Sequence, residues 1–435
     1  MKKNYNELVI ADGLNLILDL TKSKGCYLYD KQSKSYFFDF FTFYASLPLG
    51  MNHPKLNTTE FKNLLSRVGV NKPANSDIVT DELKKSIETF GNLAMPDYMK
   101  HVFFISGGAL AVENALKAAF DWKIKKNIQR NQYKNQNPQI IHFRQAFHGR
   151  SGYTLSLTNT ADPKKTINFP KFNWPRLHNP KLTFPTTDEL TKQIEKEEHH
   201  VINQIKTILC QNKHDIAGLI IEPIQGEGGD NHFRPEFFKS LKLLSMENEF
   251  LLIMDEVQTG LGITGKMWAH EHYDIEPDIV AFGKKTQVCG MMSSNRINEV
   301  EKNVFNQSSR INSTFGGNLS DFVRMAKILE IITDDKLVLN ANTQGHYLNQ
   351  RLIELSNQFP IITNVRSKGL FAAFDVPSPI VRNEIIKQAF KNKLIILGCG
   401  NRSIRFRPML PITKTKIDEG IMILENTIKT IIIKQ

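Results

Sequence analysis

Five short apolar runs set the strongest limit on how this chain can fold. They are HVFFIS (101–106), QIIHF (139–143), AGLIIEPI (217–224), FLLIMDEV (250–257) and DIVAFG (278–283). Each is too short for a helix core and is rich in Ile, Val, Leu and Phe at consecutive positions, the mark of a strand buried on both faces. Between them, ALAVENALKAAFDWKIK (109–125) and RPEFFKSLKLLSMENE (234–249) space their apolar residues for helices. Strand and helix in alternation predict an α/β fold, a largely parallel sheet with helices on both sides. The ends differ: residues 26–43 suggest a hairpin, 362–377 and 394–408 more antiparallel strands, and Ile417, Ile421, Leu424 and Ile428 one face of a closing helix. The expected organisation is a large domain over 60–325 and a smaller α+β domain assembled from 1–59 and 326–435. A chain of 435 residues, 41% hydrophobic, can fill two such cores.

The formal charge of +12 raises the question of nucleic acid. Yet lysines and arginines are dispersed among Asn, Gln and Glu, and no RNA- or DNA-binding signature accompanies them. The densest basic region, 122–139, reads as a helix end running into a polar loop. No nucleic-acid partner is expected. Asn6, Glu7, Asp12 and Asn15 interrupt the apolar core that a signal peptide would need, and no stretch is long and apolar enough to span a membrane. Cys26, Cys210, Cys289 and Cys399 are scattered without metal-type spacing, so reduced thiols in a cytoplasm are expected and no metal.

Ligands of open parallel sheets bind beyond the carboxyl ends of the strands. After HVFFI come Ser106-Gly107-Gly108-Ala109 and a helix start, which together can offer free N–H groups to an anion. On its own such a turn is more often a tight connection. After LLIM comes Asp255-Glu256-Val257-Gln258; a carboxylate at a buried strand tip is costly without a cation or several donors, and otherwise serves as a helix cap. After DIVAF comes Gly283, then Lys284 and Lys285. A lysine partly withdrawn from water near other cations has a lowered pKa and a nucleophilic amine. A phosphate cradle, a buried acid and a buried lysine together match the needs of pyridoxal 5'-phosphate: anchor for phosphate, partner for the pyridine nitrogen, amine for the aldehyde.

At this point the chain resembles a known family. EPIQGEGG (222–229), DEVQTGLGITG (255–265), PDIVAFGKKTQ (277–287) and NSTFGGN (312–318) are similar, in order, to the landmarks of class III, ω-amino-acid aminotransferases. NKPANSD (71–77), GGALAVENALKAAFDWK (107–123), FHGRSGYTLSLTNT (147–160) and GKKTQVCG (283–290) resemble its branch acting on the ε-amino group of L-lysine. The resemblance implies fold type I, with a mostly parallel, seven-stranded-type sheet. It implies Lys284 as the cofactor-bearing lysine, Asp255 as partner of the pyridine nitrogen and Gln258 near the phenolic oxygen. Gly108 and Ala109 would hold the phosphate, Phe147 would stack on the ring, and Thr314 would reach the phosphate of a second subunit in a homodimer. Read without the family, Phe147 is core packing and Thr314 a turn.

The implied reaction passes the ε-amino group of L-lysine to 2-oxoglutarate, giving 2-aminoadipate 6-semialdehyde and L-glutamate. Two carboxylate positions are then needed. Arg150 matches the distal site and Arg405 the near one, with Arg407 two residues on and expected to share its strand face. Glu227 would pair with Arg405 while lysine is bound and swing aside for the dicarboxylate. Tyr44 stands where related ornithine enzymes place a carboxylate-binding tyrosine, which keeps ornithine and 4-aminobutyrate open as alternative donors. A catalytically silent cofactor-binding scaffold is the remaining alternative.

Overall fold

The computed structural model describes residues 13–132 and 137–433. Residues 1–12 of the expected small domain, and 133–136 of the polar loop, lie outside the described residues. Among the described residues there are fourteen strands, in chain order β1 (Tyr27–Asp30), β2 (Ser35–Asp39), β3 (Met99–Ile105), β4 (Gln139–Phe143), β5 (Arg176–Leu177), β6 (Ile216–Ile221), β7 (Leu251–Asp255), β8 (Ile279–Phe282), β9 (Cys289–Ser294), β10 (Thr363–Lys368), β11 (Phe371–Asp375), β12 (Leu394–Ile395), β13 (Leu397–Cys399) and β14 (Ser403–Phe406). Seven of them form one sheet in the order β3-β9-β8-β7-β6-β4-β5. Neighbours from β8 to β5 run parallel, and only β9 runs against the rest. The architecture is that of fold type I, and all five apolar runs lie in it.

The doubly apolar strands divide their side chains between two cores. On β6, β7 and β8, Ile220, Leu251, Ile253, Ile279 and Ala281 enter one cluster. The alternate positions Leu219, Ile221, Leu252, Met254, Val280 and Phe282 enter the other. This period of two is what strand geometry requires of a sheet covered on both sides. The helix Gly108–Gln129 covers the first face with Val112, Ala115, Leu116, Ala118, Ala119 and Trp122, whose mostly small side chains let it lie close to the sheet. Pro235–Glu247 covers the second with Phe237, Phe238 and Leu241.

Strand β9 is absent from the sequence expectation, because CGMMSS lacks the β-branched pattern of its neighbours. Its fit depends on a missing side chain. A Cβ on Gly290 would lie 2.2 Å from the carbonyl oxygen of Phe103 on β3, so only glycine allows these strands to pair.

Two smaller sheets draw on both ends of the chain. β10-β11-β14-β13 is antiparallel throughout, and β1-β2-β12 joins the early hairpin to Leu394–Ile395 in parallel. Ile417, Ile421, Leu424 and Ile428 of the closing helix Lys414–Ile433 are all buried. After β2 the chain makes a left-handed turn at Thr42, Phe43, Tyr44 and Ala45, with φ of 41, 51, 59 and 65°. Each such residue costs about 1–2 kcal/mol. The turn is pinned by Asp39, whose carboxylate accepts from the N–H groups of Phe41 (2.7 Å) and Thr42 (2.9 Å), and by the Thr42 hydroxyl, which donates to the carbonyl of Arg407 (2.6 Å). No helix among the described residues is long and apolar enough to cross a membrane.

Candidate active site

The carboxyl ends of β3, β4, β6, β7 and β8 open on the same edge of the sheet, and a cavity of about 770 Å³ lies there. Pairing of Asp255 with Ala281 sets the tip of β7 beside the tip of β8, three residues before Lys284. Gly108, Ala109, Phe147, Arg150, Glu227, Asp255, Gln258 and Lys284 all line the cavity. Arg405, Tyr44 and Thr314 do not.

The two adjacent lysines have separate environments. Lys284 adopts φ of 54° after an extended Gly283, and its side chain lines the cavity. Burial, reinforced by the positive charge of Arg405, lowers its pKa from the usual 10.5 to about 8, against the opposing pull of Asp255 and Glu222. Lys285 is 1% exposed, away from the cavity, and its amine donates to the carbonyl of Gln258 at 2.5 Å. Burial pushes its pKa down as well, so a perturbed pKa alone does not single out the reactive lysine; access to the cavity does.

Asp255 is almost fully buried, with one oxygen 2.7 Å from Nδ1 of His148 and the other accepting from the N–H of Val257 at 3.1 Å. Glu222, just past β6, accepts from the N–H groups of Phe147 (2.9 Å) and Gly226 (3.0 Å). Burial and the nearby charge of Asp255 raise its pKa well above the ordinary range. His148 and Glu222 are the residues that sequence reading passed over. The signal for Glu222 was present: it stands at the tip of β6 as Asp255 stands at the tip of β7. His148 directly follows Phe147, and only its contact with Asp255 gives it significance.

The start of the helix Gly108–Gln129 has no side-chain cap, so its first N–H groups are available to a ligand in the cavity. A Cβ on Gly108 would come within 2.9 Å of Val257, which explains the glycine there. Uncapped N–H groups, a buried carboxylate and an amine of lowered pKa converge on one cavity. This donor set fits pyridoxal phosphate.

Arg405 and Arg407 have different partners. Arg407, 1% exposed, grips Asp230 through both terminal nitrogens (2.9 and 2.5 Å), bonds Oε1 of Gln258 (3.1 and 2.9 Å) and lies 3.2 Å from the ring centre of Phe371. Arg405, 6% exposed, has no ion pair among the described residues; its guanidinium lies 5.5 Å from the ring centre of Tyr44. The two stand on the side of the strand opposite Ile404 and Phe406, which enter the core, and the charges of both bear on Lys284; what separates them is that Arg407 is held by Asp230 and Arg405 is not. Glu227 is not paired with Arg405 here. Its Oε1 accepts from the Thr160 hydroxyl (2.7 Å) and the Lys165 amine (2.6 Å). Arg150 is exposed on the cavity wall and has no ion pair among the described residues. Thr314 is exposed, with its carbonyl accepting from Ser76 at 2.9 Å.

The family model described as aminotransferase class-III matches residues 9–428. The L-lysine-epsilon aminotransferase of Mycobacterium tuberculosis is 46% identical over 425 residues, covering 97% of this chain and 94% of the relative. The protein of that name from Streptomyces clavuligerus is 42% identical over 426 residues, covering 97% and 93%. The human mitochondrial 4-aminobutyrate aminotransferase is more distant, at 31% over 430 residues and 94% and 84% coverage. Among solved structures, the lysine aminotransferase from M. tuberculosis superposes with a TM-score of 0.95 at 45% identity, covering 98% of this chain and 97% of that one.

Proposed function

The chain belongs to the class III aminotransferases, transaminases that work with pyridoxal phosphate, and from that premise we propose that it moves the ε-amino group of L-lysine to 2-oxoglutarate. The products are 2-aminoadipate 6-semialdehyde and L-glutamate. One observation carries the reading: two guanidiniums without an anion partner among the described residues serve the cavity of Lys284, Arg150 on its wall and Arg405 close enough to depress the amine's pKa. Two free cations suit a reaction in which one substrate brings a single remote carboxylate and the other brings two.

In the lysine half, Arg150 holds the α-carboxylate at a distance and so directs the ε-amine toward Lys284. In the second half Arg405 receives the α-carboxylate of the dicarboxylate and Arg150 the far one. Gly108 and Ala109 would hold the cofactor's phosphate, Phe147 would pack on its ring, Gln258 would face its phenolic oxygen, and Asp255, oriented by His148, would hold a proton on the pyridine nitrogen. The bound cofactor supplies the electron sink that makes the proton on the reacting carbon removable. Nζ of Lys284 would serve as the base that takes the proton from the reacting carbon and as the acid that gives it back. Its lowered pKa suits both directions of the transfer near neutral pH.

The working unit we propose is a homodimer, with Thr314 serving the partner's phosphate. Segment 70–79 packs against 314–317, through Asn75 donating to the carbonyl of Gly317 at 3.0 Å. Val70, Ile78, Val79 and Phe315 remain exposed there, an apolar surface suited to a second copy. Tyr44, over Arg405 and outside the main cavity, is assigned to shaping the near carboxylate site. The domain division at residues 60–325, with the rest forming the small domain, is part of the same reading.

The test offers lysine, ornithine and 4-aminobutyrate separately with 2-oxoglutarate and identifies each product by mass. Turnover of lysine to a six-carbon semialdehyde is expected. A preference for ornithine would overturn the donor assignment.

A further inference from the structure

Arg405 is free because the carboxylate expected to neutralise it is held elsewhere. The backbone of Glu227 is fixed, with its carbonyl accepting from the N–H of Gly400 at 2.6 Å. Its loop packs on the segment leading into β14: a Cβ on Gly229 would lie 3.6 Å from the Ser403 hydroxyl. The side chain reaches instead to the connection after helix Gly152–Leu157. There Thr160 and Lys165 both donate to Oε1, while Oε2 is buried without a partner. Lys165 ends a short 3-10 turn, Pro163–Lys165, whose start is capped by Asp162 accepting from the N–H of Lys164 at 3.1 Å. Its ammonium also lies 6.0 Å from the ring centre of Phe147.

We propose that Thr160 and Lys165 form a berth for the Glu227 carboxylate, and that Lys165 thereby sets how readily Arg405 is released to the dicarboxylate substrate. The inference rests on the two-substrate reading above. Glu227 has two cations to choose between. Arg405 is buried and attracts it strongly when lysine leaves the near site empty of carboxylate. Lys165 competes from the rim, where its side chain is 32% exposed and that of Glu227 18%. A pair partly exposed at the rim tilts a two-position equilibrium by about five-fold, which biases the carboxylate without locking it. Neither substrate then meets a site closed to it. Lys165 acts through Glu227 and is a positioning residue.

The experiment follows cofactor absorbance of the holoenzyme in single half-reactions, with lysine and with glutamate, for wild type, Lys165→Gln, Lys165→Arg and Thr160→Val. In Lys165→Gln the dissociation constant for glutamate is expected to rise about three- to five-fold, with the rate at saturation unchanged. The constant for lysine should stay level or fall. Lys165→Arg should behave as wild type, and Thr160→Val should share the direction of Lys165→Gln. Equal weakening of both halves, or no change in either, overturns the berth. Wild type that is inert with lysine yet reacts with glutamate overturns the donor assignment instead. In that event the glutamate constant is compared with that of whichever amine reacts.

Discussion

Lys284 must be neutral to attack an aldehyde, and burial together with Arg405 brings its pKa down to about 8. Because the lowered pKa belongs to a base, the reactive form grows as pH rises and saturates above that value. Covalent uptake of added pyridoxal phosphate by the cofactor-free protein should therefore climb between about pH 7 and 9 and level off beyond. A rate still climbing at pH 10, measured by the visible absorbance of the lysine-bound cofactor, would show the amine to be solvated. Lys284→Ala should lose that absorbance altogether. Lys285→Met should keep it, since the amine of Lys285 is spent on the carbonyl of Gln258 and does not line the cavity.

The segment Ser403–Arg407 presents two arginines with opposite duties. Replacing Arg407 by Leu leaves Asp230 buried and without its partner, a loss of about 3–5 kcal/mol that urea or thermal unfolding should register. Arg405→Gln removes a buried cation that has no ion pair among the described residues, so the melting temperature should hold. The apparent affinity for 2-oxoglutarate should fall by about 100-fold, in line with loss of one partner from a buried charge pair, and that for lysine much less. The sequence could not make this distinction. Residues two apart on a strand share a face, and what parts these two is an aspartate in a distant loop that holds Arg407 alone. Strand β9 was hidden for a similar reason, since its place depends on how close Gly290 comes to β3 and not on its own hydrophobicity. The five parallel strands, by contrast, were legible, because burial on both faces demands apolar residues at every position. Lys284 and Asp255 were legible because topology makes the tips of such strands the place to look.

Val70, Ile78, Val79 and Phe315 are exposed on 70–79 and 314–317, and the proposed dimer would cover them. Ile78→Asp with Val79→Asp should shift the protein toward monomer in sedimentation and weaken cofactor retention, because each phosphate would lose its Thr314. Monomers retaining cofactor as tightly as wild type would argue against a shared site. The two ends of the chain also meet in one small sheet. The N–H of Phe38 donates to the carbonyl of Lys393 at 2.7 Å and that of Phe40 to Ile395 at 3.0 Å, and Tyr27 bonds Glu419 across the same junction. During synthesis on a ribosome, an early hairpin rich in phenylalanine emerges long before the strand that completes it. The seven-stranded sheet has all its strands by Ser294, whereas this edge waits for residue 394. A sticky, open edge during most of translation is a hazard for misassembly, and it makes the nascent chain a natural client for chaperones.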